Sequence, residues 1–164
     1  MPARKENTRN IFMIIIKPFN TAHQKKIDIM TLEISNEFET PISNNTAPVK
    51  ITLLDKYWVA FKGNEIVGTV GILKIEKQRS VLKNMFVKKN YRGKEFNTSH
   101  LLLQKAFEWC NSENITSIYL GTMKQFIGAH KFYEKNGFQR IIKNELPTSF
   151  IHNPIDSVFY KLTI

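Results

Sequence analysis

The chain is 164 residues long, which allows one domain with a full hydrophobic core and is too short for two. Its composition, 42% hydrophobic and 23% charged, is that of a globular protein and argues against repeats, low-complexity segments and long disorder. The formal net charge of +10 indicates a polyanionic partner: nucleic acid, an acidic membrane surface or a phosphate-rich cofactor.

The N-terminal region has a polar segment followed by an apolar run. Residues 1–10 are predicted to form a flexible tail, and residues 11–164 a single domain. The apolar run is broken by Lys17 and Pro18, so it is too short to span a bilayer, and it lacks a small-residue cleavage site. We therefore expect a buried first strand over about residues 11–17.

Hydrophobic spacing then predicts a helix and an antiparallel sheet. Apolar side chains recur at helical spacing over residues 21–38, opposite a charged face. Residues 40–48 contain two prolines and a Ser-Asn-Asn run, which is typical of an irregular loop. Three strand-like stretches joined by turns follow, at residues 57–61, 66–75 and 81–87.

The second half of the chain predicts helices that alternate with strands. A helix is expected over residues 98–112, with Cys110 on its apolar face as a buried structural thiol. The strand at residues 115–121 should lie parallel to the strand at residues 81–87, because the order is β-α-β. A second helix is expected over residues 125–135. Two further strands follow, at residues 140–142 and 157–164.

These elements predict an α/β fold, a mixed, mostly antiparallel, twisted sheet with flanking helices. The single cysteine excludes an internal disulfide and fits a reducing compartment, so a cytoplasmic location is expected. The four histidines are scattered along the chain, which suggests no metal site.

A basic turn joins the fourth predicted strand, residues 81–87, to the first of these helices. The run Tyr91-Arg92-Gly93-Lys94 lies where backbone N–H groups meet the positive end of a helix dipole, and a phosphate or pyrophosphate binds at such a place. A phosphate ligand would explain the local basic cluster of Lys83, Lys88, Lys89, Arg92 and Lys94. Solvated surface lysines explain the remaining positive charge equally well.

The second motif combines a helix with its stop signal: Ala129-x-x-Phe132-Tyr133-Glu134-Lys135-Asn136-Gly137-Phe138. Gly137 and Phe138 are explained by helix termination alone, since glycine adopts the left-handed conformation there. Phe132 is most simply a core residue. Tyr133 can be a core residue or a functional hydroxyl.

Both motifs, in this order and with a strand between them, resemble the cofactor-contacting motifs of the GNAT superfamily of acetyl-CoA-dependent N-acetyltransferases. The resemblance covers about residues 57–141. It implies a GNAT-like β-α-β core, acetyl-CoA as co-substrate, and direct attack of a primary amine in a ternary complex. The implied cofactor-binding residues are Met85, Phe86, Val87, Arg92, Gly93, Lys94, Glu95, Phe96, Asn97, Thr98, Phe126 and Ala129.

The resemblance also implies catalytic roles. Tyr133 would protonate the departing thiolate, and a backbone N–H on the fourth strand, that of Phe86, would stabilise the thioester oxygen. A general base is not identified, because Ser80 and its neighbour stand where many relatives carry an acid. Glu76 is better read as a solvated turn residue, and water-mediated deprotonation is equally open.

Three positions depart from the family pattern. The family turn follows Arg/Gln-x-x-Gly-x-Gly/Ala, and its two signature glycines are Glu95 and Asn97 in this chain. Glu95 would place a carboxylate beside the diphosphate unless its side chain points to solvent, so weaker cofactor binding is expected. Phe126 replaces a polar asparagine, which removes one cofactor contact.

Two alternatives to an N-acetyltransferase follow from these departures and from the charge. The first is a non-catalytic acyl-CoA-binding sensor. The second is a basic nucleic-acid-binding protein, which ranks last because no aromatic-basic platform or recognition helix is evident. The acceptor is expected to be a small-molecule or protein amine. Glu33, Glu37 and Glu39 are candidates for binding its positive charge, although acidic residues equally suit a solvated helix face. No membrane partner is expected, and a homodimer is left open.

Overall fold

The computed structural model describes residues 13–38 and 51–164, which form a seven-stranded sheet flanked by helices. The strands are β1 (Ile14–Pro18), β2 (Lys56–Lys62), β3 (Glu65–Glu76), β4 (Arg79–Val87), β5 (Ser117–Thr122), β6 (Gln139–Ile141) and β7 (Val158–Thr163). The α-helices of the described residues are α1 (Gln24–Ser35), α2 (Thr98–Ser112) and α3 (Ile127–Lys135). The predicted tail at residues 1–10 and loop at residues 40–48 lie outside these ranges.

The strand order is β1-β2-β3-β4-β5-β7-β6, with one parallel pair, β4 and β5, among antiparallel neighbours. The predicted mixed, mostly antiparallel sheet is therefore confirmed, and so is the parallel β-α-β unit. The β2–β3 hairpin depends on Gly63, which adopts a φ of +59° at the tight turn.

Alternate side chains of β2 enter two clusters of the core, one on each face of the sheet. Ala60 packs in the cluster that includes α2, whereas Tyr57 and Val59 pack in the cluster that includes α1. Each large aliphatic side chain buried in this way contributes roughly 1.5–3 kcal/mol. Cys110 is fully buried, as expected, with its Sγ 3.4 Å from the Ser80 hydroxyl oxygen.

The end of α3 has the two hydrogen bonds of a Schellman motif. The Phe138 N–H donates to the Tyr133 carbonyl oxygen (3.0 Å), and the Gly137 N–H donates to the Glu134 carbonyl oxygen (3.2 Å). Gly137 has the left-handed φ of +90° that this stop requires. None of the helices in the described part of the chain has the length and apolar character that crossing a membrane demands.

An irregularity in β4 shapes the centre of the molecule. The pairing of β3 with β4 shifts between Thr69 and Gly71, and Asn84 adopts a φ of +53°. The Thr69 hydroxyl donates to the Asn84 carbonyl oxygen at 2.8 Å and holds this bulge in place. On the other side, β4 pairs with β5 only as far as Val81 and Tyr119. The strands then separate, and the gap between them becomes a cleft.

Candidate active site

A cleft of about 940 Å³ opens where β4 and β5 separate. It is lined by residues 81–87 of β4, by the turn that follows, by the end of β5 and by α3. It therefore joins the two sequence motifs. Most of the predicted site residues line it: Met85, Phe86, Val87, Arg92, Gly93, Lys94, Asn97, Phe126, Ala129 and Tyr133. We call residues 92–97 with the start of α2 the turn end of the cleft.

The backbone of the turn end suits an anion. Gly93 and Asn97 have left-handed φ values of +92° and +57°, and asparagine is among the non-glycine residues that adopt this conformation most readily. Asn97 is the N-cap of α2, and its side chain makes no capping hydrogen bond. The first N–H groups of the helix therefore lack a side-chain cap and can receive a phosphate oxygen.

Three of the predicted cofactor residues do not line the cleft. Glu95 is exposed, so its carboxylate lies outside the cleft that a diphosphate would enter. Phe96 packs against Tyr91, with ring centroids 5.0 Å apart. Thr98 is fully buried, and its hydroxyl has no hydrogen-bond partner.

Arg92 is held in place by the residues that follow α1. Its guanidinium forms a bidentate pair with the Glu37 carboxylate (2.8 and 3.0 Å), and its Nε donates to the Val87 carbonyl oxygen at 2.8 Å. Glu33, in turn, lies 3.1 Å from the Lys88 ammonium. Both acids thus pair with basic side chains in the structure, while Glu39 lies outside the described residues.

Phe126 stands at the start of α3 and meets an aromatic ring from beyond α1. The centroids of Phe126 and Phe38 lie 4.7 Å apart in an edge-on arrangement. Since Glu37 contacts Arg92 at the turn end, residues 37–38 contact both sides of the cleft. An asparagine at position 126 would not provide this aromatic contact.

Tyr133 belongs both to the core and to the cleft wall. It is 6% exposed and lines the cleft, while its ring packs 5.5 Å from Phe138 and 5.8 Å from Tyr160, measured between centroids. Burial raises the pKa of its hydroxyl, and the negative charge of Asp156 raises it further. The phenol therefore remains protonated at neutral pH and can donate a proton.

Asp156 is a cleft residue that no sequence motif predicted. It lies in the loop before β7, and its carboxylate rests on Gly121 of β5, where an added Cβ would come within 2.8 Å of Oδ2. Burial raises its pKa, and the charge of Lys83 opposes that rise. The sequence shows an acid just before the alternating terminal strand, but the pairing of that strand with β5, which brings Asp156 to the cleft, is visible only in the structure.

The basic cluster that the sequence associates with a phosphate ligand is divided in the structure, because Lys83 and Lys88 lie away from the turn end. Lys83 projects from β4 toward the loop before β7, where its Nζ donates to the Ile151 carbonyl oxygen at 3.2 Å. Burial lowers its pKa, and Asp156 opposes that change. Lys88 pairs with Glu65 at 2.8 Å. We call Lys83, Gly121, Tyr133 and Asp156 the strand end of the cleft.

The other acid considered as a base is remote from the cleft. Glu76 ends β3. It pairs with Arg79, at the start of β4, and accepts a hydrogen bond from the Ser149 hydroxyl. No group of three or more histidine, cysteine, aspartate or glutamate side chains in the described ranges is arranged to hold a metal ion.

Comparison with known protein families and sequences gives consistent matches. Residues 29–138 match the model of the acetyltransferase (GNAT) family. The N-acetylaspartate synthetase of Xenopus tropicalis is 32% identical over 109 residues, which cover 65% of this chain and 40% of that protein. Its counterpart from Danio rerio is 30% identical over 110 residues, covering 65% and 38%. The chain thus spans about 40% of the length of these curated relatives.

Solved structures extend the similarity to nearly the whole chain. A GNAT-family acetyltransferase from Staphylococcus aureus Mu50 has a TM-score of 0.82 and 33% identity, covering 92% of this chain and 98% of that one. An acetyltransferase from Streptococcus agalactiae 2603 has a TM-score of 0.80, 22% identity and the same coverage. The PaiA N-acetyltransferase of Thermoplasma acidophilum, solved with coenzyme A, has a TM-score of 0.72, 15% identity and coverage of 92% and 99%.

Proposed function

The chain belongs to the GNAT family of acetyltransferases, and we propose that it transfers the acetyl group of acetyl-CoA to a primary amine. One observation carries the proposal: a single cleft joins an uncapped helix N-terminus to Tyr133, a largely buried tyrosine that lines its wall. The first feature suits a pyrophosphate and the second suits a proton donor, so the two ends match the two ends of an acyl-CoA thioester.

The turn end fits the phosphates of coenzyme A. The backbone N–H groups from Gly93 to the start of α2 would bind the pyrophosphate, with Lys89, Arg92 and Lys94 supplying positive charge along the same wall. The exposed position of Glu95 limits its repulsion of the diphosphate. Several solved neighbours contain coenzyme A or acetyl-CoA, which supports the same co-substrate here.

The strand end fits the chemistry of acyl transfer. β4 residues beyond Val81 have no partner on β5, so the backbone groups of residues 82–87 that point away from β3 face the cleft, and we propose that one of these N–H groups stabilises the developing negative charge on the thioester oxygen. The Phe86 N–H expected from the family resemblance is directed at β3, because Phe86 pairs with Thr69 in the same phase as the Lys88 N–H that donates to the Val67 carbonyl oxygen at 2.8 Å. Tyr133 would then donate its proton to the departing sulfur. Holding both reactants in one cleft supplies the orientation that direct attack needs.

The acceptor, the cellular location and the oligomeric state are proposed in general terms. The curated relatives are named N-acetylaspartate synthetase, which supports an amino-acid amine as the acceptor. The single buried Cys110 supports a cytoplasmic location. A homodimer is a further proposal, for which analytical ultracentrifugation is the direct measurement.

Titration calorimetry with acetyl-CoA, combined with a thiol-release assay on a panel of primary amines, tests the proposal. We expect binding in the micromolar range and thiol release that depends on the amine. Binding without transfer to any amine would favour the acyl-CoA sensor. No binding at millimolar acetyl-CoA would exclude both the enzyme and the sensor.

A further inference from the structure

Two opposite charges lie at the strand end of the cleft without neutralising each other. Lys83 and Asp156 both line the cleft, and each shifts the pKa of the other through its charge. Both residues belong to the described part of the chain, and no ion pair within 4.0 Å joins them. Two partly buried charges left apart in this way leave room for a ligand that carries the complementary pair.

The position of Asp156 is set by its surroundings. Its own N–H donates to the Asn153 carbonyl oxygen at 3.0 Å, and the next residue, Ser157, donates to the Thr122 carbonyl oxygen of β5 at 3.0 Å. Gly121 has no side chain, which allows the carboxylate to approach the backbone of β5 closely. Asp156 therefore presents a fixed carboxylate to the cleft beside Tyr133.

Lys83 lies on β4, and its side chain is held by the loop before β7. Its ammonium donates to the Ile151 carbonyl oxygen and lies 5.9 Å from the centroid of the Phe150 ring. An ammonium has three donors, so this bond leaves others for a ligand. The side chain is held at the cleft wall by the same loop that carries Asp156.

Asp156 is also the acid best placed to act as a base. Among the described residues that line the cleft, the carboxylates are Glu37 and Asp156. Glu37 is occupied by its bidentate pair with Arg92, whereas Asp156 makes no such pair.

We propose that Lys83 and Asp156 form a two-point site for a small amino carboxylate, with Lys83 binding the acceptor carboxylate and Asp156 receiving its ammonium. This inference rests on the proposed acetyl transfer and assigns the two residues that would recognise its acceptor. A ligand with both charges satisfies both residues, whereas a simple alkylamine leaves Lys83 without a counterion.

The proton balance follows from this arrangement. Asp156 accepts one proton from the acceptor ammonium and later releases it to solvent. The neutral nitrogen then forms a C–N bond to the thioester carbonyl carbon, and the C–S bond breaks. Tyr133 gives its proton to the sulfur, and the second proton lost by the nitrogen restores the phenol. The products are an N-acetyl amino carboxylate, the free thiol and one proton.

Matched acceptors test the carboxylate half of the site. Thiol release from acetyl-CoA is measured with aspartate, glutamate and β-alanine, and with propylamine and butylamine, which lack the carboxylate. We expect kcat/KM to be at least about tenfold higher for the amino carboxylates. Lys83→Gln should abolish this preference by raising KM for the carboxylates about 10- to 100-fold, with a smaller effect on the alkylamine rates that arises only through Asp156. Lys77→Gln, at an exposed turn, is the matched control.

Asp156→Asn tests the base. It should lower kcat for both acceptor classes by about 10²–10³-fold while leaving acetyl-CoA affinity unchanged in calorimetry. Wild-type activity should fall as pH drops through the pKa of Asp156, which faces Lys83 from β4 and Tyr133 from α3. The variant should instead keep gaining activity toward the pKa of the acceptor amine. Asp28→Asn on the exposed face of α1 is the control.

The outcomes separate this inference from the proposed function. Transfer to alkylamines and amino carboxylates at equal rates, with Lys83→Gln affecting both classes alike, would overturn the two-point site and leave the acetyltransferase standing. An unchanged pH profile in Asp156→Asn would overturn the role of Asp156. Acetyl-CoA binding without transfer to any acceptor would overturn both proposals.

Discussion

The turn end and the strand end of the cleft use different parts of the chain. At the turn end we propose that the backbone provides the ligand groups, and Asn97 has the left-handed conformation that a glycine would otherwise supply. At the strand end the proposed functional groups are side chains, the Tyr133 hydroxyl and the Asp156 carboxylate, both of which line the cleft. Substitutions at the turn end should therefore retain activity when the backbone conformation is preserved. Deletion of one polar atom at the strand end should instead lower activity strongly.

The largest effect is expected from Tyr133→Phe, which removes only the hydroxyl. If the phenol protonates the thiolate, kcat should fall by about 10²–10⁴-fold, with little change in acetyl-CoA affinity or melting temperature. Steady-state thiol release and thermal unfolding measure both quantities. Wild-type turnover with a lowered melting temperature would make Tyr133 a core residue only and would remove the contrast between the two ends.

Gly121→Ala should give the next largest effect, because it acts on Asp156 without changing that residue. The new Cβ would lie 2.8 Å from the carboxylate oxygen, so the Asp156 side chain must move. We expect acetyl transfer to fall about 10- to 100-fold while acetyl-CoA binding is retained. Gly128→Ala is a suitable control, since an added Cβ there meets nothing within 4 Å. Equal activity of both variants would show that the close approach at Gly121 is unimportant.

Arg92→Ala should have a moderate effect, confined to the turn end. Loss of the guanidinium should weaken acetyl-CoA about 3- to 10-fold and acetyl-pantetheine, which lacks the pyrophosphate, less. Glu37→Gln separates the two roles of Arg92, because it removes the charge of the pairing carboxylate and leaves the arginine. Equal losses for both thioesters in Arg92→Ala would assign the residue a structural role through Glu37.

Glu95→Gly should have the smallest effect and the opposite sign. It removes a negative charge near the phosphate-binding turn, so acetyl-CoA affinity should rise by about two- to fivefold, more at low ionic strength. Asn97→Gly is the matched comparison, and it should change affinity little because Asn97 already has the required backbone conformation. Calorimetry at two salt concentrations measures both variants, and a fall in affinity for Glu95→Gly would reveal a contact of this carboxylate with the ligand.

Local signals in the sequence were sufficient for the fold and for the turn end. The hairpin turn at Gly63 and the stop at Gly137 depend on backbone conformations that neighbouring residues select, and both occur as predicted. The basic turn and the helix that carries Tyr133 are also contiguous motifs. Membership of the GNAT family was readable from these two segments because each encodes its own local structure.

The strand end was decided by tertiary structure. Asp156 becomes a cleft residue because β7 pairs with β5 and brings the preceding loop onto Gly121, and nothing in the residues around position 156 specifies that approach. Lys83 faces the same loop because β4 and β5 separate after Val81. Arg92 likewise pairs with Glu37, which comes from a distant segment. Local motifs depend on neighbouring residues, whereas the partners of a charged side chain depend on which strands meet, and only the folded sheet determines that.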